Sequence, residues 1–386
     1  MNQFSFESNA LITTDEDLAI FCDLIGKSDV IAVDTEFMRE KTYYAKLCLI
    51  QVASPTLAAC VDPFSLSDLE PLLDILLNGQ NIKVFHSARQ DLELFYDNWQ
   101  KVPQPLFDTQ IAATLLGYPD QIGYANLVQN LLGTQLDKSA SRTDWSRRPL
   151  SKEQISYALD DVRYLIQLYP VMQKKLDDLG RLKWLENDFT AIIQPELYNK
   201  KSTESWRRVS GHGKLRPKQL NILKQLTTWR EDTARTRNKP RKWVISDDIL
   251  HSIVRQPPGS LEKLGQIRGI NSALVQKDGT EIVNLIKSAD AIPQSQWPSI
   301  QPQVRLTADE DALADMLLTY LKHIAASQKI SPSALATRKE IEKLAQGNTD
   351  IPLLSGWRKQ MAGDAMTELL NGKHTLRIVK GKICVE

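Results

Sequence analysis

The chain has 386 residues, of which 42 % are hydrophobic and 25 % charged, a balance that excludes a disordered or fibrous protein and allows two or three globular domains. No apolar run approaches the ~20 residues that cross a bilayer, and the opening MNQFSFESNALITTDEDLAIF lacks the basic start and apolar centre of a signal peptide. The formal net charge is only +1. Its distribution is uneven, however. Trp206–Trp243 holds 12 basic and 2 acidic residues, leaving 36 basic and 45 acidic residues elsewhere. An acidic body with one basic segment suggests a polyanion gripped in one place and processed in another. The four cysteines, Cys22, Cys48, Cys60 and Cys384, form no C-x-x-C pair. That argues against a zinc site or disulfide framework and fits a reducing cytoplasm.

In chain order, VIAVDTE within Asp29–Glu36 is the β-branched run of a buried strand. KLCLIQVAS (Lys46–Ser54) and LAACVD (Leu57–Asp62) follow so closely that the three predict an antiparallel meander. Leucines at 69, 72, 73, 76 and 77 predict a helix over Leu66–Leu77. IKVFHS (Ile82–Ser87) predicts a fourth strand running into a helix through Asp91, Leu92, Leu94 and Phe95, with further helices at Thr109–Leu116, Tyr124–Leu132 and Lys152–Leu179. Strands followed by helices imply an α/β domain with a mixed sheet. From Trp206 the pattern changes to helices broken by Pro240, Pro257, Pro258 and Gly269, then a Pro/Gln/Ser-rich linker, then a second helical block from Thr307 to Leu370.

Four carboxylates carry the chemistry. Asp34 and Glu36 are i and i+2 on one strand, so both face the same side. Left alone they would repel, and a hard divalent cation removes the repulsion. Asp91 opens a helix after a buried strand, where the helix dipole alone would favour an acid. Tyr157 and Asp161 are i and i+4 on a helix, with Cβ atoms roughly 5–6 Å apart. Each pattern is common by chance; D-x-E on an early strand, Asp on a strand–helix unit and Y-x-x-x-D on a late helix, in that order, are not. The set resembles the DEDD exonuclease superfamily, in its tyrosine branch, because Ser156 stands where the histidine branch would carry its histidine.

VDTEFMREKTYYAKLCLIQVA, FDTQIAA, GYANLV and LDKSASRTDWSRRPLS make the chain similar to the ribonuclease D family, most closely over residues 28–170. The resemblance implies a ribonuclease H-like α/β exonuclease domain over residues 1–200. It implies all-α helicase-and-RNase-D-C-terminal (HRDC) domains at 208–290 and, less typically, at 304–386, with 291–303 as linker. SWRRVSG, the N-x-P-x-x-x-V turn at Asn238–Val244 and I-x-G at Ile267–Gly269 carry the first HRDC likeness.

The implied activity is metal-dependent 3′→5′ exoribonuclease action on RNA with a free 3′ end, tRNA precursors among them, releasing nucleoside 5′-monophosphates. The implied cofactors are two Mg2+ or Mn2+ ions. Asp34, Glu36 and Asp161 would hold one, Asp34 would bridge to the second, and Asp91 would support that second ion directly or through water. Tyr157 would orient the attacking water, since a phenol of pKa near 10 is a poor base at neutral pH. Phe37 and Met38 would meet the terminal base. Arg142, Trp145, Arg147 and Arg148 offer phosphate contacts and an aromatic face, or else form a loop pinned by Trp145. Arg235, Arg237, Lys239, Arg241 and Lys242 are the RNA-binding candidates of the first HRDC domain. His86 is expected to be structural and Asp108 to be a helix N-cap. A monomer in the cytoplasm, away from membranes, is expected. The residues alone do not separate RNA from DNA as substrate; a silent RNA-binding adaptor is disfavoured because every acid and the tyrosine are present.

Overall fold

The computed structural model describes residues 11–137, 143–199, 201–300 and 305–386. Its nuclease half is a six-stranded sheet of β1 (Leu11–Ile12), β2 (Val30–Met38), β3 (Lys46–Ala53), β4 (Ala58–Val61), β5 (Ile82–Phe85) and β6 (Leu106–Asp108), in the order β1-β4-β3-β2-β5-β6. The β2–β3–β4 meander is antiparallel, while β2–β5, β5–β6 and β1–β4 pair in parallel. The sheet is therefore mixed. Alternation along β2 sends Ala32 into one apolar cluster and Ile31 and Val33 into the other, which places the strand centrally between two layers of helix.

Helix α1 (Asp15–Ile25) packs on one side with Leu18, Phe21, Cys22 and Ile25. The sequence reading passes over it, although Thr14 caps it and Asp15, Glu16 and Asp17 fill its first turn, where the dipole favours acids. Helix α2 is shorter than Leu66–Leu77: it spans Glu70–Leu73 and widens into a π-turn at Asp74–Asn78. Pro71 explains the late start, because its ring would clash with a helical carbonyl four residues back. Helices α3 (Arg89–Trp99), α4 (Thr109–Leu115), α5 (Tyr124–Leu132), α6 (Lys152–Asp178) and α7 (Leu185–Ile192) complete the layer. Ser151 and Gln154 close a capping box at the start of α6. Gly133, at φ 74°, ends α5 in the left-handed conformation that glycine adopts without strain.

The first C-terminal block contains α8 (Pro217–Thr236), α9 (Arg241–Val244), α10 (Asp247–Arg255), α11 (Leu261–Gly265) and α12 (Ser272–Ala291) around Trp206, Leu223, Leu226, Ile253 and Ile282. Two of these helices run 20 residues each, longer than the breaker residues suggest. The second block, α13 (Ala308–Ser327), α14 (Pro332–Leu335), α15 (Arg338–Ala345), α16 (Gly356–Arg358) and α17 (Asp364–Leu370), ends in a β7–β8 hairpin, Leu376–Val379 with Lys382–Val385. Lys380 and Gly381 both have positive φ there, as a tight two-residue hairpin turn requires. The hairpin is an addition to the helical expectation.

The two blocks meet the nuclease half differently. Leu317, Leu321 and Ile324 of α13 belong to the same apolar cluster as Val162 and Leu165 of α6. Trp184 stacks on Trp357 at 4.6 Å, and the Arg181 guanidinium donates to the Leu115 and Gln328 carbonyls. Gly117 is needed here, since a Cβ would lie 2.9 Å from the Lys329 carbonyl oxygen. The first block instead grips the loop after β2. Tyr43 donates its hydroxyl to Glu231, and the Tyr43 and Tyr44 backbone N–H groups both donate to Asn238 Oδ1 at 3.0 and 3.1 Å. No helix among the described residues is long and apolar enough to cross a membrane.

Candidate active site

Helix α6 lies across β2 and β3 and brings Asp161 over the D-x-E pair. Carboxylate oxygens of Asp34, Glu36 and Asp161 all lie within 4.8 Å of one another. A register shift between Glu36 and Phe37 then bulges the strand, which turns the residues beyond it. Asp91 comes from α3. It is 7 % exposed and its Oδ1 accepts a hydrogen bond of 2.5 Å from Thr35 Oγ1. Because Thr35 alternates with Asp34 and Glu36, Asp91 stands beside the trio rather than within it.

Burial, with repulsion from neighbouring carboxylates, raises all four acids. Burial, then the Asp161 charge, holds the Asp34 carboxyl well above the usual range. Glu36 is pushed up to about 9 by burial and by Asp34, Asp161 and Asp91. Asp161 rises to about 7 through burial and Asp160, opposed by the Tyr157 hydroxyl. Asp91 is raised by burial and Asp34, with the Thr35 hydrogen bond pulling the other way. Among the described residues no basic side chain pairs with Asp34, Glu36 or Asp161; Arg163, two residues on, reaches Asp160 at 3.9 Å. Such a group of hard oxygen donors fits a divalent cation, which supplies the missing positive charge. Burial and the Asp161 charge also push the Tyr157 phenol up, so the hydroxyl keeps its proton and acts as a donor.

Asp108 does more than the expected N-cap. It accepts from Gln110 and Ile111 of α4, and also from the backbone N–H groups of Ser87 and Ala88. It thereby fixes the β5–α3 junction that delivers Asp91. Sequence reasoning missed this because Ser87 and Asp108 meet only in space. His86 is structural as expected, bonded to Thr109 Oγ1 and the Ile122 carbonyl. Tyr124, not singled out from sequence, donates its hydroxyl to the Asp160 carbonyl at 3.0 Å and steadies the α6 turn that carries Asp161.

The outer candidates divide. Phe37 and Met38 follow the carboxylates on β2 and are partly exposed. Trp145 is only 3 % exposed and packs in the core 6.2 Å from the Tyr157 ring, so it presents no face to a base. This corrects the aromatic-contact expectation. Arg148 is likewise corrected: its guanidinium is committed to both Asp62 oxygens at 2.7 and 2.8 Å and to the Cys48 and Trp145 carbonyls. Arg147 points to solvent and pairs with Asp144. Arg142 lies outside the described residues. In the first helical block, Arg237 is held by Asp278, and Arg235 and Arg241 face the buried Glu231. Those three arginines each carry an acidic partner and are only partly exposed, unlike the open cations that the sequence suggests. Lys239 and Lys242 are exposed beside Trp243, itself 61 % exposed.

Comparison with known proteins agrees with this geometry. A 3′-5′ exonuclease family model matches residues 9–177, and an HRDC domain model matches 219–286. Ribonuclease D of Sphingobium indicum is 40 % identical over 97 % of both chains, and that of Bartonella henselae is 37 % identical over 97 % of this chain and 93 % of the other. The chain belongs to the ribonuclease D family. It is accordingly a 3′→5′ exoribonuclease, a hydrolase of phosphodiester bonds. The crystal structure of Escherichia coli RNase D, described as an exoribonuclease involved in structured RNA processing, superposes with a TM-score of 0.82 at 31 % identity, covering 95 % of this chain and 99 % of that one. The mixed-sheet exonuclease fold followed by a helical region with an HRDC domain is thus a family property. The family also implies divalent metal use.

Proposed function

We propose that Asp34, Glu36 and Asp161, with Asp91 from α3, hold two Mg2+ or Mn2+ ions, and that the enzyme trims 3′ ends of tRNA precursors and other structured small RNAs. The observation that carries this reading is the convergence of three acid side chains within 4.8 Å, with no basic partner among the described residues. When bound, the cations stabilise charge building on the phosphate and make hydroxide available near neutral pH. The Tyr157 hydroxyl, beside Asp161, orients the attacking water as a hydrogen-bond donor and acceptor. Asp91, whose Oδ1 accepts from Thr35, would offer its second oxygen to the second ion directly or through water. Phe37 and Met38 are placed to contact the terminal base, and Arg147 a phosphate.

Lys239, Lys242 and Trp243 form the revised RNA grip of the first block, with cations for phosphates and a ring for stacking. The domain boundaries that go with this reading are 1–200, 208–290 and 304–386, joined by 291–303, with the last unit HRDC-like. A monomer working in the cytoplasm completes it.

The test is a time course on RNA with a free or a blocked 3′ hydroxyl, with and without chelator, resolving product length. Stepwise shortening of the free end only, abolished by chelator and by Asp34→Ala or Asp161→Asn with RNA binding retained, supports the reading. Cleavage unchanged in either variant refutes the metal assignment.

A further inference from the structure

In the register of β2 and β3, Asp34 stands directly opposite Gln51, and Gln51 stands opposite Cys60 on β4. Directly opposed residues of an antiparallel pair share a face, with Cβ atoms about 4.5–5.5 Å apart. The Gln51 side chain therefore lies on the Asp34 face of the sheet, beneath α6. Cys60, next in the row, extends that face onto β4. Gln51 is fully buried, 0 % exposed. Among the described residues, neither its amide nitrogen nor its amide oxygen meets a hydrogen-bond partner.

A primary amide buried without partners costs stability, and an apolar residue of the same size would avoid that cost. Its position in an otherwise apolar strand, KLCLIQVA, next to the D-x-E pair, calls for a use. The amide has one end that donates and one that accepts. The donor end suits a carboxylate; the acceptor end suits a water molecule ordered around a cation. Ligating carboxylates are held in orientation by such partners, and their loss typically weakens metal affinity by about 10–100-fold.

We propose that Gln51 is a positioning residue of the metal centre. Its amide orients the Asp34 carboxylate in the cation-loaded enzyme, which leaves it unsatisfied when the cations are away. This rests on the metal reading given above. It separates two quantities that a purely structural glutamine would keep together. Replacing the amide with hydrocarbon relieves a buried polar group in the metal-free protein while removing support from the loaded one.

The test is Mn2+ binding to the full-length protein by isothermal titration, together with metal-free thermal melting, for wild type, Gln51→Leu and Asp34→Ala. The expected result is Mn2+ affinity about 10–100-fold weaker in Gln51→Leu, with a metal-free melting temperature equal to or above wild type. Turnover on a short RNA should recover as Mn2+ is raised. Gln51→Met, of similar length and without an amide, should behave like Gln51→Leu. Wild-type Mn2+ affinity in Gln51→Leu overturns the proposal. So does failure of both Gln51 variants to fold, which would assign the amide to the architecture of the core. If wild type itself binds no Mn2+, the metal reading fails. If wild type binds and Asp34→Ala does not, a negative result at Gln51 condemns only this assignment.

Discussion

The two C-terminal blocks are both helical, yet they are fastened to the nuclease half differently: the second by a shared apolar core joined by the Arg358–Asp188 ion pair, the first mainly by side-chain hydrogen bonds. The second block shares a continuous apolar core with α4, α6 and α7, sealed by the Trp184–Trp357 stack and the Arg181 guanidinium. The first block has its own core around Trp206 and Leu223. Among the described residues it reaches across through a polar latch, in which Tyr43 donates to Glu231, Arg235 donates to Tyr43, and Arg241, over the Tyr43 ring, also donates to Glu231. An apolar junction has no alternative partner in water, so it behaves as one folding unit. A polar junction can exchange its bonds for water, so it can loosen without unfolding. The latch loop, residues 39–45, also follows directly on the strand that carries Asp34 and Glu36, so the first block is tied to that strand itself.

The largest break should come on the apolar side. Leu321→Ala in α13 empties a fully buried position and should cost about 2–5 kcal/mol. Melting followed by nuclease activity and by helix signal should fall together, as one transition. Separate transitions would contradict the shared core. Glu231→Gln removes the charge on which Arg208, Arg235 and Arg241 converge. It should cost about 1.5–3 kcal/mol, the range for hydrogen bonds to a charged group, and raise hydrogen exchange in residues 39–45. Turnover of dinucleotides should hold while that of long RNA falls; equal losses on both would deny the latch a role in substrate handling.

Tyr43→Phe removes one donor and should do the same at about 1 kcal/mol. Smallest is the response to acid. Burial opposes it, but the Arg241 and Tyr43 hydrogen bonds and the arginine charges hold the Glu231 carboxyl below its usual value. A depressed acid contributes stability above its unfolded value near 4.5, lost as pH falls through the folded value. Exchange at residues 39–45 should therefore rise on acidification below about pH 4.5, while the α13 junction stays protected. Parallel loosening of both would erase the contrast.

Much of the nuclease half was legible in the sequence because periodicity and carboxylate chemistry are local. The meander, α5 and α6 lie within a residue or two of their predicted bounds, and D-x-E and Y-x-x-x-D are placed by strand and helix geometry. What failed to show depends on distant partners. Nothing in TDWSRRP says that Arg148 will bury itself on Asp62, 86 residues earlier. The basic run looks like a phosphate surface until Glu231 and Asp278 are folded against it. Gln51 reads as one polar residue in an apolar strand, and only the register with Asp34 gives it a neighbour. The β7–β8 hairpin could have been read from LRIVKGKICV, whose Lys-Gly pair sits between two β-branched runs.

Soaking crystals of the full-length enzyme in Mn2+ and recording anomalous scattering tests the central claim most directly. Two peaks flanking Asp34, one between Glu36 and Asp161 and one toward Asp91, are the predicted result. An active enzyme whose Mn2+ signal lies away from Asp34, Glu36 and Asp161 would contradict it.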